Sequence, residues 1–227
     1  TTTGSLVSNG AVSGTTGTFS GAISGTTGTF TDNLDVATSI RHIGDTDTKI
    51  SFDTNIIHLD TNNEERIRID SNGRLTSSTS TARASAGVSG MIQVETADGN
   101  GAINIVQNQN NAAGSPSLVL AKSRGTSVNS NTVVANNDTL GNIKFAGADG
   151  TDLNTPAAQI TGQVDGTPGS NDMPGRLLFY TTADGSSSLT ERVRITSTGS
   201  VGIGTETVSG AKLDVIDGII NVGAAVT

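Results

Sequence analysis

Glu65-Arg66-Ile67-Arg68-Ile69-Asp70-Ser71-Asn72-Gly73-Arg74-Leu75 recurs later in the chain as Glu191-Arg192-Val193-Arg194-Ile195-Thr196-Ser197-Thr198-Gly199-Ser200-Val201. Arginine and a β-branched residue alternate with period two, the period of a strand with one apolar and one polar face. The Ser-Asn-Gly and Ser-Thr-Gly triplets place glycine where a tight turn needs positive φ. Each copy therefore reads as a β-hairpin whose return strand begins at Leu75 or at Val201. Ile67, Ile69, Val193 and Ile195 are expected to point inward. Arg66, Arg68, Arg192 and Arg194 are expected to face solvent or a neighbouring chain, with Glu64, Glu65, Asp70 and Glu191 at hand for ion pairs.

The same logic marks further strands. Thr48–Phe52 and Ile56–Leu59 flank the turn Asp53-Thr54-Asn55. Ile103–Val106, Ser117–Leu120, Gly141–Phe145, Ala158–Thr161 and Arg176–Tyr180 are short, apolar and separated by polar turns, among them Asp149-Gly150, Asp165-Gly166 and Asp184-Gly185. Helical periodicity is confined to one short candidate at Thr81–Ser89, closed by Gly87 and Gly90. The fold class is all-β.

A shorter repeat occupies the amino-terminal end. Thr15-Thr16-Gly17-Thr18-Phe19-Ser20 returns as Thr26-Thr27-Gly28-Thr29-Phe30-Thr31, a period of 11 residues, and Val12-Ser13-Gly14 matches Ile23-Ser24-Gly25. Such a unit cannot bury its own apolar side, so residues 1–34 read as a thin stalk that stacks on neighbours or on other chains. Composition extends that argument to the whole chain. With 29 Gly but five Phe, one Tyr and no Trp among 227 residues, large core-filling side chains are scarce. A core of Val, Ile, Leu and Ala suits thin β layers completed by neighbouring chains, and a homo-oligomer is expected over a monomer.

A formal charge of −8 argues against nucleic acid, whose phosphates call for clustered Lys and Arg. No apolar run approaches the roughly 20 residues of a spanning helix, so membrane insertion is not expected. The absence of cysteine removes disulfides, thiolate metal sites and Cys nucleophiles. The opening Thr1-Thr2-Thr3, without Met, reads as the start of a fragment or processed product.

Little of the sequence points to chemistry. His42 and His58 are the two neutral-pH bases, each in or beside a predicted strand and neither within a nucleophile or zinc signature. No Gly-x-Ser-x-Gly elbow is present. Asp45-Thr46-Asp47, Asp149-Gly150-Thr151-Asp152 and Asp165-Gly166 could offer oxygens to Ca²⁺, but turn formation already explains Asp before Gly. The paired arginines could bind an anionic glycan, although ion pairs are the plainer reading. Catalytic, cofactor-binding and metal residues are accordingly assigned as none, and no enzyme activity is expected.

The order of certain segments is familiar. His42-Ile43-Gly44-Asp45-Thr46-Asp47-Thr48-Lys49-Ile50-Ser51-Phe52 precedes the first Glu-Arg-Ile-Arg-Ile run. Ser115–Gly125, Leu140–Asp152, Asp172–Leu177 and Val201–Thr205 follow in turn. Across residues 15–215 this order resembles modules of the tail fibres of marine and cyanobacterial phages. The resemblance implies an elongated, intertwined homotrimer of short antiparallel strands, exposed extracellularly on a virion, joined to other tail proteins and serving host attachment. Contact with a host glycan or receptor is expected through another part of the fibre. Many such fibres carry a self-cleaving intramolecular chaperone domain after passages like Gly202-Ile203-Gly204-Thr205 and Lys212-Leu213-Asp214-Val215. The expected organisation is a stalk (1–34), a first hairpin module (35–80), a connecting segment (81–110), a second, larger module (111–205) and the start of a further fibre segment (206–227). The competing readings are a β-helical tailspike that binds or depolymerises polysaccharide, a head fibre or collar whisker, and a bacterial surface adhesin.

Overall fold

The computed structural model describes residues 34–216, apart from 43, 78–80, 98, 100 and 111. The stalk repeats, with Phe19, Ile23 and Phe30, lie outside the described residues. The chain divides into two units, Thr1–Ala37 and Thr38–Thr227. All strands described below belong to the second.

Twelve strands form two six-stranded sheets, and no helix occurs among the described residues. The first sheet holds β1 (Ser39–His42), β2 (Asp45–Asp53), β3 (Ile56–Thr61), β4 (Glu64–Ile69), β5 (Leu75–Ser77) and β6 (Ile92–Val94) in sequence order. The second holds β7 (Thr139–Ala146), β8 (Pro156–Val164), β9 (Gly175–Thr182), β10 (Leu189–Ile195), β11 (Val201–Ile203) and β12 (Leu213–Val215), again in order. In each sheet five strands run as an antiparallel meander and the sixth adds in parallel to the fifth. The two sheets thus repeat one topology, and the recurring sequence motif marks the same place in both, β4–β5 and β10–β11.

The two motif hairpins close alike. Gly73 and Gly199 both sit at φ 75°. In the first, the Asp70 carboxylate accepts the Asn72 and Arg74 amides at 2.9 and 3.0 Å, and Arg74 Nε donates to it at 2.7 Å. In the second, the Thr196 hydroxyl accepts the Ser200 amide at 3.1 Å. A short side-chain acceptor at the turn's first position is what both need, and Asp or Thr supplies it. The β3–β4 turn uses Asn62 and Asn63, both near φ +57°, the left-handed pair that a two-residue hairpin loop demands and that asparagine tolerates.

Three sequence expectations about secondary structure need correction. Thr81–Ser89 forms no helix. Ser85 and Val88 exchange main-chain hydrogen bonds (3.0 and 2.9 Å) around Ala86 and Gly87, at φ 49° and 71°, so the segment is a tight turn. It is held in place by the Ala86 amide donating to the Leu153 carbonyl at 2.7 Å and by Lys144 Nζ donating to the Ala86 carbonyl at 3.0 Å. Ile103–Val106 and Ser117–Leu120 are not strands either, because neither finds a strand beside it among the described residues. Thr48–Phe52, Ile56–Leu59, Gly141–Phe145, Ala158–Thr161 and Arg176–Tyr180 all fall within β-strands as expected.

Candidate functional site: two open apolar faces

Register assigns every side chain of a sheet to one of two faces, since residues paired across a ladder share a face. In the first sheet Ile40 pairs with Ile50, Ile50 with Leu59, Leu59 with Ile67, Ile57 with Ile69, Ile69 with Leu75, and Leu75 with Ile92. One face is therefore a continuous apolar row from edge to edge. The other carries Lys49, Ser51, His58, Asp60, Arg68, Thr76 and Gln93. The second sheet repeats the division. Ile143, Ile160, Phe179, Val193, Ile203 and Val215 line up on one face, as do Leu177, Ile195, Val201 and Leu213, against Asn142, Thr161, Leu178, Arg194, Gly202 and Asp214 on the other.

At Arg68, Arg194, Ile67, Ile69 and Ile195 burial is opposite to the expected arrangement, whereas Arg66 and Arg192 are exposed as expected and Val193 is half-buried. The Arg68 side chain is 16% exposed, whereas Ile69 is 40% exposed. Arg194 is 12% exposed and Ile195 is 37% exposed. Within the single chain, then, Ile67, Ile69 and Ile195 do not point into a core, and the buried side is the polar one. Isoleucine or valine and arginine do alternate over 67–69 and 193–195, but which face closes is decided by what packs on it. Among the described residues the only buried apolar side chains are Ala86, Val134, Val164 and Leu178.

A β-bulge explains why the polar face can close. Asp60 pairs with Glu65 but Leu59 pairs with Ile67, so Glu65-Arg66 oppose a single step on β3. The same slip lies between Glu191 and Val193. On a regular strand, residues three apart face opposite ways; the extra residue reverses the parity and puts the glutamate beside the arginine. Arg68 then donates to Glu65 through Nε (2.7 Å) and Nη2 (2.6 Å), and Arg194 does so to Glu191 at 2.5 and 2.8 Å. Two parallel charge-assisted bonds of this kind are the strong form of the pair. The Arg68 guanidinium holds the Glu65 carboxyl below its usual range, burial opposing it, while each glutamate raises its arginine further.

The bulge also separates arginines expected to act together. Arg66 stays exposed, with Nε on the Thr61 hydroxyl at 2.9 Å and Nη1 2.8 Å from Glu64. Arg192 takes the matching position, with Nε on the Thr181 hydroxyl at 2.9 Å.

The two histidines are not brought into one site. His42 lies exposed at the end of β1. His58 is buried on the polar face, with Nδ1 2.6 Å from Glu65 and Nε2 3.1 Å from Asp53. It stands opposite Arg68, and the matching position in the second sheet, opposite Arg194, is the buried Leu178. One framework thus accepts either a hydrogen-bonded ring or an aliphatic side chain.

The aspartate turns use their oxygens locally. Asp149 accepts the Thr151 and Asp152 amides at 2.8 and 3.0 Å, and Asp152 accepts the Asn154 amide at 2.7 Å. Asp165 receives the Ser197 amide at 2.7 Å and Arg176 Nη1 at 2.9 Å, tying the β8–β9 loop to the β10–β11 turn. Burial raises its carboxyl, yet Ser197 and Arg176 outweigh burial and leave it lowered. Asp45 and Asp47 share a hydrogen bond that lowers the first and raises the second. Among the described residues no group of three or more His, Asp or Glu is arranged to hold a metal ion.

Solved structures that match this architecture include two of one phage domain. One is the carboxy-terminal domain of the bacteriophage T5 L-shaped tail fibre, with a TM-score of 0.55, 13% identity, and coverage of 87% of this chain and 90% of that one. The fold is similar to that of this tail-fibre domain. The second is the same T5 domain with its intra-molecular chaperone domain, at TM-score 0.56 and 14% identity, covering 79% of this chain. The present chain spans 57% of that longer one. No protein-family model and no curated protein matches the sequence. At such identity the likeness is one of fold alone.

Proposed function

We propose that this chain is a structural component of a phage tail fibre, a spacer and attachment scaffold on the virion, assembled as a homotrimer through its two apolar faces. The observation that carries the reading is the inverted burial of both sheets. Each closes its polar face with ion pairs inside the chain and leaves its apolar face open. Open apolar area of this extent is a mark of an association surface. An obligate interface resembles a domain core cut in half, and each sheet here presents such a half. The tail-fibre fold supports the virion setting, and the resemblance in segment order supports three copies. Other tail proteins would hold the fibre, and a separate part of it would meet host glycan or receptor. In this reading the chain performs no catalysis.

Native mass spectrometry of the purified chain tests the assembly, with three times the monomer mass expected and a monomer overturning it. Incubation with host-surface polysaccharide tests the scaffold role. Unchanged glycan length is expected, and shortening that disappears when one Asp or Glu becomes its amide would replace this reading with a depolymerase.

A further inference from the structure

Residues 95–138 join β6 to β7 without a strand among those described. Structureless connections this long are uncommon in compact domains and tend to be functional or linking segments. The sequence is not that of a solvated linker, which is rich in charge and poor in β-branched residues. No Asp, Glu, Lys or Arg occurs between 101 and 120, yet Ile103, Ile105, Val106, Leu118, Val119 and Leu120 do. Ile103 is 76% and Leu118 is 70% exposed, and neither stretch joins a ladder of the chain's own sheets. Uncharged, β-prone segments left bare in this way promote aggregation.

The carboxy-terminal end of the run is pinned. Leu120 packs against the bare backbone of Gly141 in β7, where a Cβ on the glycine would come within 2.6 Å of the leucine Cβ. Arg124 donates to the Asp138 carboxylate through Nε at 2.6 Å and Nη2 at 2.8 Å, just before β7. Ahead of that anchor Ile103, Val106, Leu118 and Val119 are left largely uncovered by the described residues.

We infer that the stretches 103–106 and 117–119 form an arm that lies on the open apolar face of a second copy of this chain. The inference rests on the trimeric reading above and goes further by naming the segment that crosses between copies. A second copy is the occupant because the bare arm and the bare face occur on the same molecule, so one copy answers both needs of another. The partners also match in charge, since the arm has none and the sheet face is a row of Ile, Leu and Val. Alternation in Ile103-Asn104-Ile105 turns both isoleucines to one side and the amide to the other, the pattern of a strand laid on an apolar surface.

The cysteine-free chain permits a direct test. Asn104→Cys carries a photo-cross-linker in particles reassembled from light and isotopically heavy chains, and amide exchange is followed at residues 103–106. The expected result is light-to-heavy cross-links and exchange slowed on the order of 100-fold or more relative to an open chain. A trimer whose cross-links stay within one chain, or whose 103–106 amides exchange at the open-chain rate, overturns the arm and leaves the trimer standing. A monomer in the mass measurement overturns the trimer and the arm with it.

Discussion

At the scale of single residues, the first sheet depends on Glu65 sitting between Arg68 and His58. Arg68→Met leaves the Glu65 carboxylate short of its two strongest donors on a largely closed face. Losing charge-assisted bonds of this type costs about 1.5–3 kcal/mol, so a lowered urea midpoint is expected, with Arg194→Met acting likewise on the second sheet. Acid should act on the same pair. The folded-state value of Glu65 is depressed, chiefly by Arg68. Its contribution is therefore full above the unfolded carboxylate range, about 4.3, and is lost as pH falls through the folded value. Urea titrations from pH 7 down to pH 3 should show stability falling with acid, and falling less steeply in Arg68→Met. Equal acid slopes for the two proteins would count against the assignment.

At the scale of the element, the two hairpins that share a motif differ in how they are packed. Thr76, opposite Arg68, is fully buried, whereas its counterpart opposite Arg194 is Gly202. The glycine gives room to the following loop, because a Cβ there would lie 2.9 Å from Val208 Cγ2, 3.1 Å from the Thr205 carbonyl and 3.2 Å from Arg194 Cγ. Gly202→Thr, which copies the first hairpin into the second, should displace the 205–208 loop and cost about 1–3 kcal/mol through overpacking. Thr76→Gly should cost through lost packing instead. Thermal unfolding of both variants checks the asymmetry, and a neutral Gly202→Thr would show that the loop is free to move. The motif hairpins were legible because alternation and a turn glycine are local signals. The bulge was not, since a strand and a bulged strand carry the same alternating letters and differ only in what the neighbouring strand pairs with.

At the scale of the whole molecule, stability should be inseparable from assembly. Covering one half-exposed isoleucine contributes on the order of 1 kcal/mol, and both sheets present rows of such residues. Few apolar side chains among the described residues are buried, so the folded state is expected to gain most of its margin from neighbouring copies. The midpoint of thermal unfolding should rise with protein concentration between micromolar and hundred-micromolar samples. A midpoint independent of concentration, measured under reversible conditions, would point to a self-sufficient monomer.

What the sequence determined by itself was local: the all-β class, the strands around Ile50, Ile57, Ile67, Ile160, Leu178 and Ile195, and the turn glycines Gly73 and Gly199. Each follows from a period of two residues or from the backbone freedom of one, and neither depends on distant parts of the chain. Tertiary structure alone decided which face of each sheet is closed. Alternation says that isoleucine and arginine part company, but not which side receives a partner. The bulge at Glu65-Arg66 and its copy at Glu191-Arg192 gave the arginines a carboxylate within their own strand, so the polar faces close inside the chain and the apolar faces stay open. Tertiary structure likewise decided that Ile103–Val106 and Ser117–Leu120, strand-like in composition, form no strand, because a strand needs a second backbone beside it and the chain's own sheets supply none there.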